Sequence, residues 1–435
     1  MQLLQRKIYN ELVKWKHSHG NECLLIKGAR QVGKTFIVDL LGKNKYAKYY
    51  KIDFYENEDY KKIFEGSLDA NEIYSKMSLY LDNFEIVEND TLIFLDEIQF
   101  CANARTSLKF LAMDKRCDII ASGSMLGLLY KNINSIPVGY EQQIEMYPLD
   151  FEEFLWANGV TEYAIDVLKK YFDSGEKIDD AINEKYLNYI NSYMVVGGMP
   201  EVVAKFVKEK NYQEANKIQE KIIKSYRDDI AKYANTTEKV KILKCFDSIT
   251  VQLSKEYTKF QYKTVEHNGN SKKYSNSIEW LIDAGIVKKC YNLKSPTFPL
   301  KAFYDIDNFK LYMNDSGLLT CMYGLNTQLE LLKNGIKNTG KGGIFENLVF
   351  SILSKKNLNL FYYKNKNNSQ EIEFIYESNG SIIPIEVKSK NGKTISLNDF
   401  IEKYKPKVAY KIIYGNQGTI ENKKTIPYYM LLFIS

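Results

Sequence analysis

The amino-acid sequence predicts an α/β fold whose first 150 residues form a parallel sheet. Strand-like segments alternate there with helical ones, and this alternation favours parallel strands joined by right-handed crossovers. The segment 91–97 holds an uninterrupted apolar run, which is typical of a central strand buried on both faces. Five strands are predicted, at 23–27, 48–53, 91–97, 117–124 and 142–146.

The rest of the chain is long enough for further domains. It has 435 residues, of which 45% are apolar and 26% charged, so it is of ordinary globular composition. Helical spacing replaces the strand pattern after residue 150. We expect four parts: a parallel-sheet domain at 1–150, a helical lid or linker at 151–235, a compact unit of helices and paired strands at 236–335, and a second α/β domain at 336–435.

The sequence also indicates in which cellular compartment the protein works. No apolar run approaches the roughly 20 residues of a membrane helix, and the first residues carry charges throughout instead of a secretory signal. The six cysteines are scattered without a CxxC pair, and there are only three histidines. We therefore expect a reduced, cytoplasmic protein without a membrane association, a disulfide framework or a Cys/His zinc site.

The net charge of +6 is concentrated at one end of the chain. Residues 341–435 contain 14 lysines against 8 acidic residues and so carry the whole surplus. A local basic surplus favours a polyanionic partner such as double-stranded DNA, and the alternative is a solvated lysine-rich surface.

A phosphate-binding motif joins the first strand to the first helix of the predicted sheet. Residues 28–35 match G-x-x-x-x-G-K-[ST], and such glycines let backbone N–H groups face phosphate oxygens at a helix N-terminus. We expect Lys34 to reach the β- and γ-phosphates of ATP and Thr35 to bind Mg²⁺. The expected cradle consists of Gly28, Ala29, Arg30, Gln31, Val32, Gly33, Lys34, Thr35 and Phe36.

Two acidic residues at the end of the third strand complete a hydrolytic site. We expect Asp96 to hold the magnesium shell and Glu97 to polarise the water that attacks the γ-phosphate. Lys34 is its catalytic partner, since it stabilises phosphate charge. Ser124 follows the fourth strand, where it could contact the water or the γ-phosphate; for Ser124 and its neighbour Ser122, a turn-forming role is the alternative.

Taken together, the motifs resemble those of bacterial and archaeal AAA-type ATPases that carry a poorly characterised C-terminal region. The resemblance runs from GARQVGKT, LIFLDEIQ, ASGS and YPLDFEEFL through YRDDI and KLYMNDSGLL to GGIFENLV and PIEVKSK. It implies an ATP- and Mg²⁺-dependent ATPase whose nucleotide residues include Gly33, Lys34, Thr35, Asp96 and Glu97. The segment Val138-Gly139-Tyr140 departs from the family, which often has a basic residue there. Candidates for an arginine acting in trans are Arg105, Arg116 and Arg227, and the alternative for each is an ordinary salt bridge.

The middle of the chain resembles a winged helix. A helix at 271–284 precedes a pair of short strands, and such a helix can enter the major groove of DNA. The lysines that would contact the DNA backbone are Lys272, Lys273, Lys288 and Lys289. The alternative is a protein–protein module in which Ile278, Trp280 and Leu281 are simply core.

The last hundred residues resemble the PD-(D/E)xK arrangement of nucleases. Glu386 and Lys388 alternate on one strand and so face the same side, while Glu346 and Glu373 would supply further metal ligands. Glu373 stands where the family usually has Asp, and the roughly 1 Å displacement of its carboxylate puts activity in question. Glu371 could substitute for it. The alternatives are an inactive nuclease fold or simple strand charges.

Three function classes follow from these expectations. One is an ATPase whose turnover changes the conformation of a DNA-associated C-terminal half, in genome maintenance or defence. The others are an ATP-gated nuclease and a nucleotide-dependent switch that binds a protein partner or a second copy of the chain.

Overall fold

The computed structural model describes residues 4–18, 20–124, 139–234, 236–255, 259–334, 342–365, 370–388 and 394–435. Contacts group the chain into two compact units. The first unit contains Gln5–Tyr147 with Asp283–Gly285, and the second contains Pro148–Ile282 and Ile286–Ser435. Within the described ranges, no helix has the length and apolar character needed to cross a membrane.

The first unit is built on a five-stranded parallel sheet. Its strands are β1 (Cys23–Lys27), β2 (Lys48–Asp53), β3 (Thr91–Asp96), β4 (Asp118–Gly123) and β5 (Glu141–Glu145). They lie in the order β2-β3-β4-β1-β5, with every neighbouring pair parallel. The five predicted strands are thus confirmed, each within one residue of its predicted limits. The carboxyl ends of β1, β3 and β4 are adjacent, which is where ligands bind in open α/β sheets.

Helices cover this sheet because each presents an apolar stripe to it. They are α1 (Lys7–Ser18), α2 (Lys34–Lys45), α3 (Ala70–Tyr80) and α4 (Ala102–Asp114), with short 3₁₀ helices at Glu58–Phe64 and Ile98–Phe100. In α1 the buried residues Ile8, Leu12 and Trp15 recur at helical spacing. One core joins α3 and α4 to β1, β3 and β4, and all its β3 and β4 members are essentially unexposed.

The second unit begins with helices, as the sequence predicts for 151–235. They are α5 (Phe151–Ala157), α6 (Glu162–Ser174), α7 (Asp180–Val196), α8 (Pro200–Glu209), α9 (Tyr212–Tyr233) and α10 (Thr236–Leu253). Further along the chain lie α11 (Tyr262–Val265), α12 (Ser271–Asp283), α13 (Ser316–Met322), α14 (Leu325–Asn334), α15 (Gly342–Leu353) and α16 (Ile395–Tyr404). Three more 3₁₀ helices span Leu300–Ala302, Ser354–Lys356 and Tyr428–Phe433.

An eight-stranded mixed sheet forms the rest of the second unit. Its strands are β6 (Val287–Leu293), β7 (Tyr304–Met313), β8 (Phe361–Lys364), β9 (Glu371–Ser378), β10 (Ser381–Val387), β11 (Ala409–Ile413), β12 (Gly418–Ile420) and β13 (Lys423–Pro427). The order is β12-β13-β11-β10-β9-β8-β6-β7. The paired strands β6 and β7 are therefore continuous with β8–β10, because β6 also pairs in parallel with β8. The expected boundary near residue 335 falls between strands of a single sheet.

A buried aspartate fastens α13 to the turn between α7 and α8. The Asp315 carboxylate caps α13 by accepting the Leu318 N–H at 2.9 Å, and it accepts the Gly198 N–H at 2.7 Å. Burial raises the pKa of Asp315, while these backbone N–H groups act to lower it. Gly198 also accepts the Leu149 N–H at 2.7 Å, and any side chain at Gly198 would collide with the Leu149 carbonyl.

We expect Asp315→Ala to lower the free energy of unfolding by about 2–3 kcal/mol, because it leaves two buried N–H groups unsatisfied. Asp315→Asn, which keeps a carbonyl acceptor, should lose less. Urea denaturation followed by circular dichroism measures both. The exposed Asp307→Ala is the matched control and should change stability by less than about 0.5 kcal/mol; an equal loss in the control would contradict this role.

Candidate functional site

The phosphate-binding motif forms the loop between β1 and α2. Gly28 and Gly33 have φ of 154° and 95°, and Gln31 has φ of 66°, so the loop makes a tight left-handed curve. A side chain at Gly28 would collide with the Met146 carbonyl. The helix α2 begins at Lys34, and the unpaired N–H groups of its first turn suit an anion such as phosphate.

Lys34 lies within the curve of this loop. Its ammonium donates to the carbonyls of Gly28 and Ala29, each at 2.9 Å, and only 6% of the residue is exposed. Burial lowers the pKa of Lys34 to about 8, against the opposing effect of the Glu97 and Asp96 carboxylates. The ammonium is therefore held at the centre of the cradle by its own loop.

Asp96, at the carboxyl end of β3, connects three strands and the loop. Its Oδ2 accepts the Thr35 hydroxyl at 2.7 Å and lies 3.6 Å from the Lys51 Nζ. Its Oδ1 accepts the Glu97 N–H at 3.1 Å and the Ser122 hydroxyl. Burial raises the pKa of Asp96, and the Ser122 and Thr35 hydroxyls act to lower it. The Thr35 hydroxyl and this carboxylate are the hard oxygen ligands that Mg²⁺ prefers, so these residues fit the metal.

Glu97 turns from the end of β3 towards the end of β4. It has φ of 52°, in the left-handed region that a glutamate rarely adopts, and such backbone conformations cluster at functional sites. Its Oε2 accepts the Ser124 hydroxyl at 3.3 Å and the Gln99 side-chain amide. The structure thus brings Glu97 and Ser124 together, beside the loop that holds Lys34.

The remaining cradle residues differ in what they can offer a ligand. Val32 is fully buried, so only its backbone is available, whereas Phe36 is 48% exposed. The Arg30 guanidinium lies 5.9 Å from the centre of the exposed Tyr55 ring. Arg30, Phe36 and Tyr55 are therefore side chains near the loop that could contact a nucleotide base or ribose.

Arg6, which no sequence motif indicates, supports the phosphate-binding loop through hydrogen bonds to backbone carbonyls. Its guanidinium donates to the Val32 carbonyl at 3.1 Å and to the Tyr147 carbonyl at 2.7 Å, and 8% of it is exposed. Tyr147 opens the segment YPLDFEEFL that follows β5. Nothing in the pattern of the first 20 residues marks Arg6, because its two acceptors lie 26 and 141 residues away.

The three arginines considered for action in trans all have carboxylate partners. Arg105 is buried and pairs with Glu141. Arg116 pairs with Asp114 at 2.8 Å. Arg227 pairs with Asp247 at 2.5 Å, and its side chain is 42% exposed. In the departing segment, Val138 lies outside the described residues, while Gly139 and Tyr140 lie within them.

The lysines expected to contact DNA around α12 are largely engaged. Lys273 pairs with Glu266, and Lys289 pairs with Glu279 and lies 4.8 Å from the centre of the Phe309 ring. Lys272 is exposed and Lys288 is half-buried. The apolar residues of the helix, Ile278, Trp280 and Leu281, are buried in the core.

The residues expected for a nuclease-like site do come close together. Lys388 Nζ lies 3.3 Å from Glu386 Oε1 and 3.9 Å from Glu373 Oε1, and Glu373 Oε2 accepts the Val387 N–H at 3.2 Å. Burial raises the pKa of Glu373 to about 8; Lys388 acts to lower it, and Glu346 and Glu386 raise it further. Glu386 is 1% exposed, and its Oε2 has no hydrogen-bond partner among the described residues.

A buried lysine from β7 enters the same cluster. Lys310 Nζ lies 3.0 Å from Glu346 Oε2 and 2.9 Å from Glu371 Oε1. Lys364 pairs with the other oxygen of Glu371 at 2.8 Å. We call the set Lys310, Glu346, Lys364, Glu371, Glu373, Glu386 and Lys388 the carboxylate cluster.

This cluster does not fit a divalent metal as it stands. Among the described residues, no group of three or more His, Cys, Asp or Glu side chains is placed to hold a metal ion. Two carboxylate oxygens that Mg²⁺ would need are instead within 3.0 Å of the Lys310 ammonium.

Comparisons with known proteins match the chain in three separate segments. Residues 20–155 match the model of the AAA domain. Residues 187–329 and 341–431 match two models described as domains of unknown function, DUF8612 and DUF4143. Residues 20–155 are therefore an AAA-type, P-loop ATPase-like domain.

The similarity to known proteins covers much of the chain. An uncharacterized protein of Methanocaldococcus jannaschii is 28% identical over 382 residues, which cover 84% of this chain and 74% of that protein. Among solved structures, the Walker-type ATPase PABY2304 of Pyrococcus abyssi is 11% identical with a TM-score of 0.42, covering 74% of this chain and 96% of its own. The RuvB Holliday junction branch migration motor of Thermotoga maritima is 10% identical with a TM-score of 0.30, covering 66% and 90%.

We expect Arg6→Ala to weaken ATP binding by about tenfold and to lower the Tm of the AAA-type domain, because two hydrogen bonds from a charged group to the loop and to Tyr147 are lost. Isothermal titration calorimetry with ATP measures the first effect. Arg6→Lys is the informative comparison, since an ammonium keeps the charge but lacks the planar fork. Full affinity in Arg6→Ala would show that the loop needs no brace.

Proposed function

We propose that this protein is an Mg²⁺-dependent ATPase. The observation that carries the proposal is the arrangement at the end of β3, where Asp96 accepts the Thr35 hydroxyl and Glu97 turns towards Ser124, beside the loop that holds Lys34. These side chains lie in or directly after the loop that follows β1, and at the ends of β3 and β4. The carboxyl ends of these three strands lie at the same edge of the sheet. The match of residues 20–155 to the AAA domain model supports the same assignment.

Each residue has a defined task in this proposal. The loop N–H groups and Lys34 hold the β- and γ-phosphates and stabilise the charge that develops during transfer. Thr35 and Asp96 would hold Mg²⁺, which would supply positive charge to offset that of the phosphates. Glu97 orients a water molecule in line with the γ-phosphate and accepts its proton, while the water oxygen bonds to phosphorus and the bond to the bridging oxygen of ADP breaks. Ser124 fixes the Glu97 carboxylate by donating to it.

We expect Glu97→Gln to bind ATP but to lower kcat by about 10²- to 10⁴-fold, because an amide cannot accept the proton. Lys34→Ala should lose ATP binding or turnover, because the phosphates lose their buried cation. Phosphate release gives kcat, and calorimetry gives affinity. The exposed Glu88→Gln, in the same domain, should behave as wild type; undiminished turnover in Glu97→Gln would refute the assigned base.

For the partner of the ATPase we propose double-stranded DNA, bound by the second unit. The support is an exposed basic patch of Lys403, Lys405 and Lys407 at the end of α16, for which the described residues show no carboxylate partner. Turnover would then change the conformation of a DNA-associated half, as genome maintenance or defence requires. A switch that binds a protein partner or a second copy predicts instead a nucleotide-dependent change in assembly and no effect of DNA on turnover.

We expect replacing Lys403, Lys405 and Lys407 by Gln to weaken duplex binding at low salt and to reduce the slope of log K against log salt concentration by about 2–3, since three phosphate contacts are lost. Fluorescence anisotropy with a labelled duplex measures the slope. The control replaces three exposed lysines of the helical region, Lys169, Lys170 and Lys208, by Gln. An equal loss of binding in both triple variants would show that only the total charge of the protein matters and that the patch has no specific role. If wild type does not bind the duplex at low salt, DNA is not the partner.

A further inference from the structure

Lys310 is a buried cation that faces carboxylates from distant parts of the chain. It lies on β7 with 1% of its side chain exposed, and its ammonium lies 3.0 Å from Glu346 on α15 and 2.9 Å from Glu371 on β9. The aromatic ring of Tyr362 on β8 is also near, with its centre 4.8 Å from Nζ. An ammonium is rarely buried without such partners.

The charge state of Lys310 follows from these neighbours. Burial acts to lower the pKa of Lys310, but the Glu346 and Glu371 carboxylates outweigh burial and raise it. Lys310 is therefore charged throughout the physiological range. Lys364 and Lys388 pair with Glu371, Glu373 and Glu386, so the four carboxyl groups of the cluster face three ammonium groups.

A divalent cation bound by Glu346 and Glu371 would need oxygens that already have partners. Glu386 Oε2, which has no hydrogen-bond partner among the described residues, is a single carboxylate oxygen and does not supply the several ligands that a divalent cation takes. Mg²⁺ takes near-octahedral oxygen ligands at about 2.0–2.1 Å, which leaves no room for an ammonium on the same oxygens. Glu346 Oε2 accepts both Lys310 and the Tyr312 hydroxyl, the latter at 2.7 Å. Both oxygens of Glu371 lie in ion pairs. A metal would also meet the full positive charge of Lys310 in a buried setting, where repulsion is strong.

We propose that Lys310 is the resident cation of the carboxylate cluster and closes the cluster to divalent metal ions. Resting on the DNA partner proposed above, the second unit then holds that DNA without cleaving it. The ion pairs of Lys310 also connect β7 to α15 and β9, three elements that are distant in sequence. Closure of the cluster by Lys310 does not depend on ATP hydrolysis by the AAA-type domain.

The test is Mn²⁺ binding by the 435-residue protein without nucleotide. The electron paramagnetic resonance signal of free Mn²⁺ measures how much of the ion remains unbound. Wild type should bind no Mn²⁺ at this cluster. Lys310→Met, which keeps most of the length of the side chain but removes its charge, should gain an Mn²⁺ site that wild type lacks, because Glu346 and Glu371 lose their shared ammonium partner. Its Tm should fall, and Mn²⁺ should raise it again.

Lys364→Met is the matched control, because it removes a lysine from Glu371 but leaves Lys310 in place. It should remain without Mn²⁺ binding, and Glu371→Gln added to Lys310→Met should abolish the gained site. A folded Lys310→Met variant that gains no Mn²⁺ binding would overturn the proposal.

If Lys310→Met fails to fold, measurements on the wild-type protein test the proposal instead. Mn²⁺ binding by wild type that disappears in Glu373→Gln would overturn the proposal, as would Mn²⁺-dependent cleavage of plasmid DNA that disappears in Glu386→Ala. Wild type that neither binds Mn²⁺ at these residues nor cleaves DNA is the expected result. Loss of ATP turnover in Glu97→Gln tests the ATPase separately and does not bear on Lys310.

Discussion

The hydrogen bonds of the buried Asp96 carboxylate are the interactions on which the proposed nucleotide site depends. Its two oxygens receive the Thr35 hydroxyl from the start of α2, the Ser122 hydroxyl from β4 and the Glu97 N–H from the end of β3. A charged group that is 1% exposed must be satisfied in this way, because an unpaired buried carboxylate is costly. Satisfying it fixes the loop, β3 and β4 relative to one another, so the same bonds that stabilise the carboxylate also place Glu97.

Most of the first unit could be predicted from the sequence because its signals are local. A glycine-rich loop between a strand and a helix, and an acidic pair ending an apolar strand, each lie within one short segment. That Lys34, Thr35, Asp96 and Glu97 come together could be predicted in this way. The brace formed by Arg6 could not, because it donates to carbonyls, and a backbone acceptor leaves no trace in the sequence.

In the second unit, the sequence predicts the positions of some residues of the carboxylate cluster but not of Lys310. The strand positions of Glu373 and Glu386 and the helix that carries Glu346 could be predicted, and the structure places these residues near one another. The presence of Lys310 in the cluster could not be predicted, because the sequence of β7 indicates only a local pairing with β6. Its place in the cluster depends on the pairing of β6 with β8, a contact between residues about 70 positions apart. The sign that could have found it is a lysine within the otherwise apolar run FKLYM at 309–313.

The continuity of β6 with β8 has a consequence for how this chain can be divided. A fragment starting after residue 335 would keep β8–β13 but lose β6, and β8 would become an open edge with unpaired backbone groups. The same cut removes Lys310, so Glu346 and Glu371 would lose the cation that neutralises them. A C-terminal fragment that keeps β8 paired and Glu346 and Glu371 neutralised must therefore include β6 and β7, and we expect shorter ones to self-associate through the exposed strand.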